Sequence, residues 1–365
     1  MKFRDFSFDG WKGIAIIAVI GIHACGEART FAEGSANYWI GLIFRQLLNF
    51  AVPLFFALSG YFAPTADSMG SPGSGKAGRY YLSRLGRLWM PYLLWTIIYL
   101  LIRRPEDVLS LTELSKACFL GYGIGIGYFV VVLTTLIIIH PWIVRMQSRI
   151  LLLSGAVATF FTLILVYYFR WEQPEALFSR FRFYALPFTT WLFFYVLGFA
   201  FKRYGDLGYG RKIILTLTGF SFAASIAESA IFLTQTHTPS VALSQVKLSS
   251  YLYSTFVIIC VLSFGRRWVK TSKYLVWVGQ RSYAIYLTHM LFLGVVMSGL
   301  NSIEPIRLLQ AVYIPIASTA GLLLTSVFIY CAEKLLPQEL RSPLLGARPI
   351  PASVVHCRQS IETTS

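Results

Sequence analysis

Apolar stretches of about 20 residues, separated by short polar connections, recur from one end of the chain to the other. A helix needs about that many apolar residues to cross the hydrocarbon core of a bilayer. The spacing predicts ten membrane-spanning helices, over residues 9–26, 39–62, 87–103, 127–144, 150–169, 183–201, 213–233, 249–265, 280–300 and 308–332. The first stretch has no small-residue cleavage site and is followed at once by further apolar spans, so it reads as a transmembrane helix and not as a cleaved signal. The expected fold class is all-α, a polytopic membrane protein of about ten spans.

The polar connections orient these spans. With a cytoplasmic N-terminus, the inner segments and tails carry 20 of the 32 lysines and arginines and the outer segments nine, with Lys12, Arg45 and Arg281 left within spans. Basic residues accumulate on the cytoplasmic side of membrane proteins, so both termini are expected there.

Composition agrees with this class. A chain of 365 residues that is 56% hydrophobic, 16% aromatic and only 13% charged cannot close into one soluble domain. The net charge of +16 is spread over short membrane-flanking loops, which points to anionic lipid and not to nucleic acid. The five cysteines, Cys25, Cys118, Cys260, Cys331 and Cys357, show neither metal-ligand nor disulfide spacing.

Three stretches break the helical period. Residues 64–78, "PTADSMGSPGSGKAG", form a flexible cytoplasmic connection, and 121–127, "GYGIGIG", is expected to be a mobile outer loop. From Pro337 to Ser365 the chain is polar and proline-rich, and a disordered cytoplasmic tail of 337–365 is expected beyond a membrane domain of 1–336. No motif of the first half recurs in the second.

The polar residues inside apolar stretches carry the chemistry. In "GWKGIAIIAVIGIHACGE", residues 10–27, Lys12 and His23 lie eleven residues apart, about 20° beyond three full helical turns. They share a face about 16 Å apart along the axis, with Lys12 at the cytoplasmic mouth and His23 in depth. An imidazole within a bilayer is costly unless paired or facing a polar cavity, and its chemistry suits proton abstraction. The same histidine would equally serve as a packing contact to a neighbouring helix. Glu27, one turn on, is placed to orient or deprotonate it. Arg84 and Arg87 in "SRLGR" face one way at the cytoplasmic end of the third span and suit either phosphate binding or membrane anchoring. Arg45 and Glu228 read best as an ion pair that makes both tolerable in lipid. Ser282 and His289, seven residues apart in "VGQRSYAIYLTHMLF", share a face with Tyr283 beside them, as cavity or as packing residues.

Together these motifs resemble the acyltransferase-3 family of integral membrane acyltransferases, which includes bacterial O-acetyltransferases acting on cell-surface polysaccharides and their lipid-linked precursors. "FDGWKGIAIIAVIGIHA" is similar to the family's opening helix with its basic residue and histidine, and "NFAVPLFFALSGYF", which holds Asn49 and Ser59, to its second-span pattern. "SRLGR" resembles its cytoplasmic Arg-x-x-Arg and "VGQRSYAIYLTHM" its late Ser-Tyr segment. The resemblance implies acyl-CoA, usually acetyl-CoA, as donor substrate, held by Lys12, Arg84 and Arg87, with no resident cofactor and no metal. It implies His23, aided by Glu27, at the reacting centre. Arg45, Asn49, Ser59, Glu228, Ser282, Tyr283 and His289 are then the candidates for the acceptor side or the cavity wall.

Two positions depart from the pattern: Lys12 stands where the family often has Arg, and Asn49 where relatives often carry Arg, a charge that Arg45 one turn earlier is placed to supply. The function expected is transfer of an acyl group from acyl-CoA to a hydroxyl of a saccharide or glycolipid at the outer face of a bacterial cytoplasmic (inner) membrane. The rival is a transporter or flippase of an anionic lipid-linked saccharide, which would need no CoA. The sequence is silent on oligomeric state.

Overall fold

The computed structural model describes residues 6–66, 76–206, 208–236, 242–265 and 272–346, and every regular element among them is a helix. The principal helices are α1 (Phe6–Ala24), α2 (Ala36–Leu48), α3 (Ala51–Tyr61), α4 (Lys76–Arg103), α5 (Leu111–Phe119), α6 (Tyr128–Ile143), α7 (Ser148–Glu172), α8 (Phe181–Ala185) and α9 (Thr189–Tyr204). There follow α10 (Arg211–Thr236), α11 (Leu248–Phe264), α12 (Lys273–Gln280), α13 (Ser282–Asn301), α14 (Gln310–Leu335) and α15 (Gln338–Leu345). Every expected span coincides with an apolar helical stretch. Eight are long and apolar enough to cross a membrane, whereas α6 and α11, of 16 and 17 residues, are shorter. The chain is an all-α polytopic membrane protein.

The outer surface is what lipid requires. On α7, Ile150, Leu153, Val157, Phe160, Phe161 and Ile164 are all exposed, a stripe at helical spacing that would be an aggregation hazard in water and is the solvated face in hydrocarbon. α1, by contrast, is buried along most of its length and packs against α2, α3, α12, α13 and α14. Its closest neighbour is α12. A Cβ at Gly13 would run into the Leu275 carbonyl, and one at Gly279 into that of Asp9, so only glycine at both positions lets the two backbones touch.

The second apolar stretch is not one continuous helix. Pro53 has no N–H to give to the Asn49 carbonyl and its ring crowds that carbonyl, and the chain breaks between α2 and α3 at Asn49–Phe50. The Leu47 carbonyl, near the end of α2, accepts a hydrogen bond from the Tyr253 hydroxyl at 2.9 Å.

Two expectations are corrected. "GYGIGIG" is not a loose outer loop: Ile124 and Ile126 are buried in the core, and Gly127 N–H bonds back to the Gly121 carbonyl at 3.1 Å. Its alternate glycines permit close backbone approach, since a Cβ at Gly127 would meet the Tyr92 hydroxyl at 2.5 Å. Nor is the chain irregular directly after Pro337. Helix α15 forms there, lies against α4, buries Leu345 and accepts a bond from the Trp95 indole on the Leu344 carbonyl at 2.9 Å. The flexible stretch of 64–78 falls largely, and the tail beyond Gly346 wholly, outside the described residues.

Candidate functional site

His23 lies one residue from the end of α1, and its ring faces that of His289 on α13, with centroids 5.5 Å apart. His289 is fully buried, and its Nδ1 is 3.0 and 2.9 Å from the carbonyls of Ile285 and Tyr286. Carbonyls only accept, so Nδ1 carries the hydrogen and Nε2 presents a lone pair. That Nε2 has no partner. His23 is half-buried.

Arg45 reaches the same place from α2. Its Nη1 donates to the Ile22 carbonyl at 2.7 Å, beside His23, while its Nε–H is buried without an acceptor. Asn49, buried at the helix break, donates to Gln46 Oε1 at 3.1 Å and leaves its own Oδ1 unpaired. Arg45 and Asn49, one turn apart at the end of α2, thus meet the Ile22 carbonyl and Gln46 respectively. Ser59, half-buried on α3, makes no hydrogen bond among the described residues, and neither does Ser282 at the start of α13.

Glu27 is not set against His23. After Ala24 the chain tightens into a 3-10 helix, Cys25–Thr30, in which each residue advances about 120° instead of about 100°, turning Glu27 off the histidine face. Its carboxylate takes Arg307 Nε at 3.0 Å and Asn301 Nδ2 at 3.2 Å. The expected Arg45–Glu228 pair is also absent. Glu228 accepts from the Tyr167 hydroxyl and from the Ser249 hydroxyl and N–H, with Lys247 as its neighbouring cation. Hydroxyls from adjacent helices have replaced the partner that charge counting suggested.

Arg84 and Arg87 line one open cleft of about 190 Å³, walled by Leu88, Leu133, Ile137, Tyr283 and Gly346. Arg84 Nη1 bonds to the Tyr80 hydroxyl at 2.6 Å, and the Tyr283 hydroxyl bonds to the Leu88 carbonyl. Gly346, at φ +64°, lets the chain leave α15 against the Tyr283 ring. Lys12 is not part of this wall: it pairs with Asp9 at 3.2 Å and sits over the Phe62 ring. The late Ser-Tyr-His segment is therefore shared between two places. Tyr283 belongs to the arginine cleft and His289 to His23, with Tyr286 between them at ring spacings of 6.3 and 6.3 Å. This ladder of rings connects the cationic cleft to the imidazole pair.

Sequence reasoning missed several interior polar residues. Arg170 and Lys247 fall just outside the expected spans 150–169 and 249–265, where flanking charges belong, yet both are buried. Residues 242–247, between α10 and α11, are buried without forming a regular span, which within membrane proteins occurs where irregular backbone is packed in protein or lines a cavity. The sequence carries no signal for it, since the connection "TQTHTPSVALSQVK", residues 234–247, is as polar as an exposed loop.

The family model described as an acyltransferase domain matches residues 5–331. Among curated proteins the chain is 25% identical over 303 residues to the putative membrane-bound acyltransferase YfiQ of Bacillus subtilis, covering 78% of this chain and 79% of that one. It is 29% identical over 151 residues to the nodulation protein NolL of Mesorhizobium japonicum, a match spanning 40% of each. No solved structure matches significantly.

Proposed function

Because the chain belongs to the acyltransferase-3 family of membrane acyltransferases, we propose that it moves an acyl group, acetyl in the first instance, from cytoplasmic acyl-CoA to a hydroxyl of a cell-surface saccharide or glycolipid, in a bacterial cytoplasmic membrane. The observation that carries this reading is the imidazole pair in the apolar interior, joined by a ladder of rings to a cleft lined by two arginines.

The chemistry follows from those positions. Arg84 and Arg87 suit the phosphates of CoA, since guanidinium groups fork onto phosphate oxygens. From there an extended pantetheine arm would follow the Tyr283–Tyr286–His289 face towards His23. His23 takes the proton of the acceptor hydroxyl, the alkoxide oxygen attacks the thioester carbonyl, and the carbon–sulfur bond breaks. The CoA thiolate then takes the proton back from the imidazolium. Arg45, with an unused Nε–H beside His23, is the donor best placed for the oxyanion. The lone pair of His289 Nε2 accepts from a second hydroxyl of the acceptor and so orients the sugar.

The test uses membranes holding the full chain and acetyl-CoA labelled in the acetyl group. Label should reach extracted glycolipid or polysaccharide with the native protein and disappear with His23→Ala, the variant being inserted and folded. Transfer that survives the substitution would make His23 structural, and an absence of transfer from any acyl-CoA would remove the proposed donor.

A further inference from the structure

Beyond the histidines, a run of interior polar groups extends away from the arginine cleft. Gln46, next to Arg45 on α2, donates to the Ala242 carbonyl of the buried 242–247 segment at 3.1 Å. Gln245, in the buried 242–247 segment, donates to the Tyr128 hydroxyl at 3.0 Å, and the Tyr184 hydroxyl is 3.3 Å from Ser244 Oγ. Over the other side of Tyr184, 4.8 Å from its ring centre, lies the guanidinium of Arg170, which is only 6% exposed. The run therefore begins and ends in an arginine.

Two features of this run call for a ligand. First, its groups are unsatisfied: Arg45 Nε, Arg170 Nε and Gln245 Oε1 are buried with no partner. Buried polar atoms are almost always bonded, and orphans gathered in one place mark something to be bound. Second, its charge is uncompensated. Among the described residues the interior carboxylates Glu27 and Glu228 are already taken, Glu27 by Arg307 and Asn301 and Glu228 by the Tyr167 and Ser249 hydroxyls, with the Lys247 ammonium nearby. That ammonium is itself held by the Ser225 and Ala242 carbonyls and the Ser229 hydroxyl. Among the described residues neither Arg45 nor Arg170 has an acidic partner, and the Arg170 side chain has a ring contact with Tyr184 but no hydrogen bond. Two cations left so in a membrane-spanning bundle are costly unless an anion completes them.

We infer that the run from Arg45 to Arg170 is the acceptor pocket, and that the acceptor it takes is a saccharide bearing an oxyanion, with Arg170 holding the anionic group and Gln245 and Tyr184 meeting hydroxyls. The oxyanion is either the carboxylate of a uronic acid or a phosphate on the sugar. The inference deepens the transferase reading by naming the class of acceptor, and its test reads binding and not turnover.

Full-length protein in lipid nanodiscs is titrated with phenyl β-glucoside, phenyl β-glucuronide and phenyl β-glucoside 6-phosphate. At least one anionic glycoside should bind about tenfold or more tightly than the neutral one, as a charge-assisted bond to a dry guanidinium requires. Whichever anion leads identifies the source. In Arg170→Gln the anionic-to-neutral ratio should fall to near one, and because it is a ratio, a general loss of affinity cancels. Native protein that binds all three equally, or none of them, overturns the inference without need of any variant. So does a preference that persists in both Arg170→Gln and Arg45→Gln. Selective binding of an anionic glycoside by a chain that transfers no acyl group would keep the pocket and discard the transferase reading.

Discussion

His289 offers the sharpest test of the imidazole pair, because the structure separates its two nitrogens. Nδ1–H faces two carbonyls that already lie in the α13 ladder, while Nε2 has nothing to accept. His289→Phe keeps a ring of similar size beside His23 and removes only the polar atoms, so the helix loses no backbone bond and melting should change little. What is lost is one acceptor in a buried, largely apolar interior. Leaving a hydroxyl unpaired there costs about 1–3 kcal/mol, which is about 5- to 150-fold in kcat/KM for acyl transfer. His289→Gln restores a carbonyl oxygen near the old Nε2 and should recover part of the loss. The assay is steady-state transfer from labelled acyl-CoA, run beside thermal unfolding of the same preparations. Activity of His289→Phe within about twofold of native would refute the role. So would equal losses in Phe and Gln variants that track a lowered melting temperature.

Other outcomes follow from the same geometry. Arg84→Ala and Arg87→Ala should each raise KM for acyl-CoA about tenfold or more with a smaller effect on kcat, and equal KM values in native and variant kinetics would deny the cleft its phosphate role. Glu27→Gln takes the charge from the Arg307 pair and one acceptor oxygen from Arg307 or Asn301; with Arg307 43% exposed, solvent screening holds the stability cost to about 1 kcal/mol, and transfer should stay within a few fold, whereas a drop of a hundredfold would return Glu27 to the reacting centre. Gly279→Val forces a side chain into the Asp9 carbonyl and should destabilise by about 1–3 kcal/mol or more, read as a lower melting temperature. Deleting the chain from Gln338 onward strips Trp95 of its carbonyl partner and removes one wall of the arginine cleft, so KM for the donor should rise while His23-dependent transfer remains.

The helices were legible because length and hydropathy determine them, as was the placing of His23 inside the first helix and of Arg84 and Arg87 together on one face, since helical spacing alone decides both. Pairing was not legible. Glu27 looked like a histidine partner as long as α1 was continued in register, and the 3-10 turn at Cys25 undid that by rotation alone. Glu228 and Arg45 invited each other as the opposite charges of their region, but three-dimensional packing supplied Glu228 with hydroxyls from Tyr167 and Ser249. Arg170 and Lys247 were hidden by their place in sequence, at the margins of spans where basic residues ordinarily anchor to lipid headgroups. Only burial distinguishes an anchor from an interior cation.

The separation of charge along the bundle bears on how transfer could proceed without leakage to water. The arginine cleft and the Arg45–Arg170 run both favour anions, but they meet only through rings: Tyr283, Tyr286 and the two histidines. Water that entered from the cleft would find few sites along that ladder, since the Tyr283 and Tyr286 hydroxyls already donate to the Leu88 and Ile126 carbonyls. A thioester led down the ladder would therefore meet its first free lone pairs at His23 and His289, where the acceptor hydroxyl is to be activated. Opening the ladder should then uncouple donor cleavage from transfer. In Tyr286→Ala, hydrolysis of acyl-CoA without acceptor should rise relative to acyl transfer, measured as free acid released per acylated product. An unchanged ratio in a variant that still folds would show that the rings are packing and that water is excluded elsewhere.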